Sequence, residues 1–314
     1  MMKHILLNTA TCLLFVFNLS AGAGDSSVFK SQYLFNIEND VFTSLFRDQY
    51  YSSGLFFGYS WLHYMDSKQK NIRSVTLAQR IYTPRYVTYR KVESYDRPYA
   101  GHLSIQLNSN YYRTDRVWKH QLEFGWMGPG SMTGTIQETW HGWFGLPEPR
   151  GWKNQIPNSP IINYNGLMAY QFVKAKGIEL ISESHLAAGT AFNFIREEVM
   201  VRTGLLKNLL SSVQYNGQLG DINPKIRSEY AEEIVLFYAP GIEYNFYNST
   251  IEGNIIGQTP IHTETPVRWI LQHRIGLFFS WKGFDFTVNY YRRSKETTEA
   301  TPHPYVGVQF ARRF

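Results

Sequence analysis

Between residues 29 and 38 the chain alternates. Phe29, Tyr33, Phe35 and Ile37 share one side; Lys30, Gln32, Asn36 and Glu38 share the other. Period-two alternation marks a strand with one apolar face. Similar stretches follow at about 51–64, 71–83, 99–113, 117–128, 163–175, 177–188, 195–207, 231–247, 268–282, 284–294 and 303–314, twelve with the first. The last has Val306, Val308 and Phe310 at every second place and closes on Phe314. The links near 66–70, 114–115, 176–177 and 282–283 are short and turn-like, whereas those at 41–50, 84–98, 129–162, 248–266 and 295–302 are longer. Short periplasmic turns alternating with long extracellular loops, and an even strand number, are the habit of bacterial outer-membrane barrels. Two links depart from it: 189–194 is short for an outside loop, and 208–230 is long for a periplasmic turn. The pattern predicts an all-β chain, a transmembrane, antiparallel, twelve-stranded outer-membrane β-barrel. A soluble β-sandwich shares the alternation and stays open at this point.

The long segment 129–162 carries a helical signal. Thr135 and Glu138 are spaced as a capping box, which predicts a short helix over Ile136–Phe144 in the third extracellular loop. Gly145 fits its C-terminal cap and Pro147 prevents continuation. Gln137 and His141, four apart, fall on one helical face.

Residues 1–23 read as a signal peptide, with the barrel from 24 to 314. Lys3 and His4 precede an apolar core from Ile5 to Leu19, and Ala21-Gly22-Ala23 supplies a cleavage pattern. Cys12, the single cysteine, lies in this leader, so the mature chain is expected to have neither disulfides nor thiol chemistry. The 21 Phe, 22 Tyr and 8 Trp are more than a soluble enzyme usually carries, and a barrel uses them in its lipid-facing band and interfacial girdles. The net charge of +6 suits the anionic surface of lipopolysaccharide, although a weakly basic soluble protein would look the same.

If the first strand runs outward, Glu38-Asn39-Asp40 ends it on the extracellular side. Tyr51-Ser52-Ser53-Gly54 then starts the next strand at the same level, and Asp96-Arg97 and His141 are also outside. The polar motifs converge on one rim. Asn39-Asp40, the run from Tyr51 to Ser60, Ile81-Tyr82-Thr83-Pro84, Asp96-Arg97 and the Gln137…His141 pair are the residues by which the chain resembles a known family, the lipid A 3′-O-deacylases (LpxR). The likeness covers essentially the whole mature chain; each motif is short, and their order and spacing make it specific. The resemblance implies a calcium-dependent carboxylic ester hydrolase that removes the 3′-acyloxyacyl chain of lipid A in the outer leaflet. The expected partners are lipopolysaccharide and outer-membrane lipids, with no nucleic acid, and the chain is expected to act as a monomer. Two alternatives stand beside it: an outer-membrane phospholipase using histidine and calcium, and a small pore or adhesin without catalysis.

Single residues admit two readings each. His141 is a general-base candidate because imidazole titrates near neutral pH; it also reads as an interfacial histidine between Trp140 and Trp143. Gln137 could orient the imidazole, or be a solvated helix residue. Asp40, with Asn39, offers the hard oxygens that Ca²⁺ prefers, or plain turn chemistry at a strand end. Strict alternation puts these two side chains on opposite sides of the wall, so both can ligate only if the strand breaks there. Ser52 stands where the family usually has threonine. It could join the metal site or act as a nucleophile, but no Gly-x-Ser-x-Gly elbow surrounds it. Arg90 and Lys91, in a loop where the family has a basic cluster, could hold a lipid A phosphate or be ordinary solvated charge. Arg97 reads as structural, paired with Asp96 or with another carboxylate.

Overall fold

The computed structural model describes residues 28–43, 48–221 and 233–314. The expected leader, with Cys12, lies outside the described residues.

Twelve strands close into a barrel in which each pairs antiparallel with the next and the last returns to the first. They are β1 (Ser31–Asn39), β2 (Tyr50–Met65), β3 (Gln69–Thr83), β4 (Ala100–Arg113), β5 (Arg116–Met127), β6 (Ser159–Ala175), β7 (Ile178–Gly189), β8 (Phe192–Leu205), β9 (Glu233–Asn248), β10 (Trp269–Trp281), β11 (Phe284–Arg293) and β12 (His303–Arg313). All twelve predicted strands are present. The largest departures are at β6 and β8, which begin a few residues earlier than the alternation indicates. The outside link between β7 and β8 is consequently only Thr190-Ala191.

The alternation sorts side chains to the two faces of the wall. Phe57, Leu77, Ile105, Leu122 and Ile162 remain about half exposed on the outside. Glu123, Glu183, Glu198 and Arg202 point inward and are almost fully buried. Charge inside a low-dielectric wall must be paired. Arg274 accordingly reaches Glu183 at 2.5 Å and Glu198 at 2.8 Å, and Arg293 reaches Glu243 at 2.9 Å. A cavity of about 260 Å³ remains among these groups, lined by Glu38, Tyr51, Arg80, Glu123 and Arg196. Aromatic contacts occur toward both ends of the wall, as interfacial girdles do: Tyr33 with Tyr59 and Phe314 near the start of β1, and Trp269 with Tyr244 where β10 begins. Closure, an apolar exterior and a charged interior exclude the β-sandwich. Among the described residues no helix is long and apolar enough to cross a membrane; the crossing is made by strands.

The described part of the unusually long link after β8, residues 206–221, folds inward. Its single turns Leu209–Ser211 and Val213–Tyr215 place Leu209, Val213, Tyr215 and Leu219 in the main apolar cluster, against Ile72, Tyr112 and Phe278 of the wall. Lys70 donates to the Leu219 carbonyl at 2.8 Å, and Tyr112 donates to the Tyr215 carbonyl at 3.0 Å. The periplasmic end of the lumen is thereby filled.

Two irregularities prepare the opposite rim. In β2 the pairing with β3 skips from Tyr51 to Ser53, so Ser52 is the extra residue of a β-bulge. The bulge turns Tyr51 into the lumen, where its hydroxyl meets Glu38 at 2.5 Å, while Phe57 and Tyr59 stay on the lipid side. The second is the helix of the third extracellular loop, α1 (Thr133–Phe144).

Candidate active site

The expected capping box is not formed. The helix begins at Thr133, so Thr135 lies inside its first turn. Its start is set mainly by backbone: a single 3-10 turn over Pro129–Ser131 leads into Met132 at φ 56°, which makes no side-chain cap, and Ser131 Oγ accepts from Thr133 N at 3.4 Å. The C-terminal end is as expected, with Gly145 at φ 62° in the left-handed region that suits a residue without Cβ. Thr133, Gly134, Gln137 and His141 are buried against the barrel rim. Ile136, Trp140 and Trp143 are exposed on the other side. The helix thus offers polar chemistry inward and an aromatic surface outward.

The polar face converges on Asp48, a residue that the sequence motifs do not single out. Its Oδ2 lies 3.0 Å from His141 Nε2 and accepts from Gln137 Nε2 at 3.0 Å. Its Oδ1 accepts from Ser52 Oγ, and its backbone carbonyl accepts from Thr83 Oγ1 at 3.2 Å. The other imidazole nitrogen, Nδ1, lies 2.6 Å from the Pro147 carbonyl. A carbonyl only accepts, so Nδ1 carries a hydrogen. Burial pulls the imidazole pKa down, but the hydrogen bonds to Asp48 and Pro147 outweigh it and the net shift is upward. Gln137 is fixed from behind by the Trp152 indole, which donates to Oε1 at 2.7 Å. Trp152 is packed in turn against Tyr99 and Tyr95 of the second loop.

Ser52, Gln137 and His141 are therefore brought together as the motif spacing suggested. Asp40 adjoins them: it is buried, its amide donates to the Ser52 carbonyl at 3.2 Å, and its Oδ2 accepts from Gln49 N at 2.7 Å. Burial, followed by the charge of Asp48, holds the Asp40 carboxyl well above the usual carboxylate range. Asn39 is turned elsewhere. The strand does end at Asn39, but its Oδ1 accepts from Val41 N at 2.8 Å in a local turn. Arg90 and Lys91 are exposed on the second loop, just before its single turn Val92–Ser94. Asp96 and Arg97 are scaffolding. Asp96 accepts from Tyr50 OH at 2.8 Å and from Arg85 N at 2.9 Å, while Arg97 donates to Glu296 at 3.0 Å and to Thr250 at 2.7 Å. The carboxylate partner of Arg97 is thus Glu296 and not Asp96. A sequence signal for Asp48 existed only in its spacing, four residues before Ser52 in a loop already placed at the rim.

A closed, charge-filled barrel carrying an aspartate–histidine–glutamine cluster under a loop helix at its outer rim defines an outer-membrane barrel with an enzyme-like site. The chain belongs to the LpxR family: the family described as "Outer membrane protein LpxR" matches residues 7–314. Among solved structures it is similar to LpxR from Salmonella typhimurium, with a TM-score of 0.71 and 18% identity, covering 90% of this chain and 100% of that one. At that identity the likeness speaks for the fold. The translocator domain of the autotransporter NalP from Neisseria meningitidis is more remote, with a TM-score of 0.46 and 11% identity over 98% of this chain and 97% of that one. No curated protein sequence matches the chain.

Proposed function

We propose that this protein is a calcium-dependent lipid A deacylase that hydrolyses the 3′-acyloxyacyl ester of lipopolysaccharide in the outer leaflet. Membership of the LpxR family supports lipid A deacylation. The observation that carries the catalytic reading is the pairing of His141 with Asp48 on the barrel-facing side of a helix whose other side exposes Ile136, Trp140 and Trp143. An ester held among acyl chains can reach such a site without leaving the bilayer.

The donor set fits Ca²⁺. Asp40 and Ser52 offer hard oxygens from adjoining strand ends, and a buried carboxylate calls for a counter-charge. Among the described residues no Lys, Arg or His forms an ion pair with Asp40. Asp40 and Ser52 would hold the cation, with Asn39 contributing only after releasing Val41 N. Bound there, the cation would polarise the ester carbonyl and stabilise the developing oxyanion. His141 accepts the proton of a water through Nε2 while Nδ1 stays tied to Pro147. Gln137 and Asp48 keep the ring in place, and Arg90 and Lys91 offer cationic groups to a lipid A phosphate from the second loop. Ser52 Oγ is given to a carboxylate and not to the imidazole, which supports water over serine as the nucleophile.

Mass spectrometry of lipid A from cells expressing the wild type and His141→Ala tests the reading. Loss of the 3′-acyloxyacyl chain only with the wild type is expected. Unchanged lipid A together with newly formed lysophospholipid would transfer the activity to phospholipids instead.

A further inference from the structure

We infer that Asp48 is the positioning residue and charge partner of His141, and that it is itself set by a relay running from Trp152 through Gln137. The inference rests on the hydrolase reading for its catalytic meaning and on hydrogen-bond geometry for its substance.

Each link has one possible direction. An indole N–H only donates, so Gln137 must present its amide oxygen to Trp152. Its NH₂ group is thereby aimed at Asp48 Oδ2. The carboxylate then receives Gln137 and His141 from α1 on one oxygen and Ser52 from the bulge of β2 on the other, while Thr83 of β3 holds its backbone. A carboxylate fixed by donors from two elements leaves little freedom to the ring that it faces.

The same geometry sets the proton inventory. Both imidazole nitrogens face acceptors, the Pro147 carbonyl at Nδ1 and the Asp48 carboxylate at Nε2. At rest the ring therefore carries both hydrogens and a positive charge that Asp48 compensates. To act, it first loses the Nε2 proton to solvent. Nε2 then takes a proton from the attacking water as the hydroxide adds to the ester carbonyl carbon. It returns that proton to the departing sugar oxygen as the ester C–O bond breaks. The imidazolium formed midway again faces Asp48. Asp40 at the end of β1 faces Asp48 as a second buried carboxyl, with its Oδ2 taken by Gln49 N; among the described residues the other titratable groups of the surrounding elements are engaged elsewhere or exposed. Arg80 and His102, on β3 and β4, contact Glu123 at 2.9 Å and 3.0 Å. Tyr95 and Tyr99 donate to the carbonyls of Tyr89 and Val87. Arg150 pairs with Glu148 at 2.9 Å, and Glu138 is exposed on α1.

The test is a histidine NMR titration of the folded, full-length protein in detergent micelles, with the His141→Ala spectrum assigning the signal. Asp48→Asn is expected to move the His141 midpoint down by about one pH unit or more, the scale of an adjacent opposite charge. Asp48→Glu should keep the midpoint near that of the wild type. The acid limb of kcat for lipid A deacylation should follow to lower pH in Asp48→Asn, because more acid is needed to protonate the ring when its counter-charge is gone. Trp152→Phe should lower kcat several-fold with KM little changed. An unmoved midpoint in Asp48→Asn, or in Asp48→Ala should the first variant fail to fold, overturns the pairing. A Trp152→Phe enzyme with wild-type kcat overturns the relay. If wild-type protein deacylates nothing while the midpoint still moves, the pairing stands and the deacylase reading fails.

Discussion

At the scale of single residues the site separates chemistry from support, and the separation can be measured. His141 lies on a loop helix outside the strand ladder, so removing its imidazole leaves the ladder intact. His141→Ala and His141→Asn are expected to insert and resist heat in detergent like the wild type. Turnover should drop by about a hundredfold to ten-thousandfold, the usual worth of a positioned general base. Lipid A mass spectra showing more than about a tenth of wild-type turnover in either variant would move the base elsewhere. Ser52 needs only its hydroxyl: Ser52→Thr should keep substantial activity and Ser52→Ala should lose most of it, and trapping a stable acyl-Ser52 adduct would establish a serine nucleophile instead. Asp40 is the metal prediction. Chelation should abolish turnover and added calcium restore it, while Asp40→Ala should stay inactive at any calcium concentration and show weakened calcium binding by calorimetry. Full activity in excess chelator removes the metal from the mechanism.

At the scale of elements, what positions the site is a bulge and a close approach. The alternation in β2 foretells a strand but not that Ser52 is an extra residue, because a bulge keeps the composition and changes only the parity. The capping-box spacing at Thr135 and Glu138 misplaced the start of α1 because the chain arrives through a 3-10 turn and a left-handed Met132, which set the first turn at Thr133. Asp48 was illegible for a different reason: it belongs to no periodic segment, and only the folded first and third loops bring it to His141. The strands, the helical face shared by Gln137 and His141, and the C-terminal glycine were legible because each is a local pattern. The close approach is at Gly101 of β4, where a Cβ would fall 2.3 Å from Ser131 Oγ and 2.6 Å from Thr133 Cβ. Gly101→Ala must therefore lift the start of α1 from the rim while leaving the barrel paired. Displacing a catalytic group by about an ångström costs on the order of a hundredfold. The expected variant migrates as a folded barrel on unheated gels and deacylates about ten- to a hundredfold more slowly. Wild-type rates in Gly101→Ala would mean that the helix tolerates the shift and does not position the base.

At the scale of the whole molecule, the same parity that sends apolar residues to lipid sends Glu183, Glu198 and Arg274 inward, and a charged lumen is also what a pore has. The inward-folded segment 206–221 after β8 decides between the two uses. Its apolar residues Leu209, Val213 and Leu219 are almost fully buried, so swinging it out would expose them to water. Its polar contacts are made as well: Lys70 reaches the Leu219 carbonyl and Asp221, and Arg202 reaches Ser212 and the Lys207 carbonyl. Opening would break these together, so the closed arrangement is cooperative. The sequence signal was visible, a periplasmic link too long for a turn and rich in leucine, but its destination inside the lumen depends on the wall that surrounds it. Purified protein in planar bilayers is expected to show no stable channel steps, with calcium or with chelator. Replacing residues 209–219 by a short Gly/Ser linker should open ion conductance while leaving the rim site in place, so lipid A deacylation should persist in a barrel that still folds. Steady conductance from the wild type would show that the link does not seal the lumen. Loss of deacylation in a well-folded linker variant would show that the periplasmic plug and the extracellular site are coupled through the charged interior.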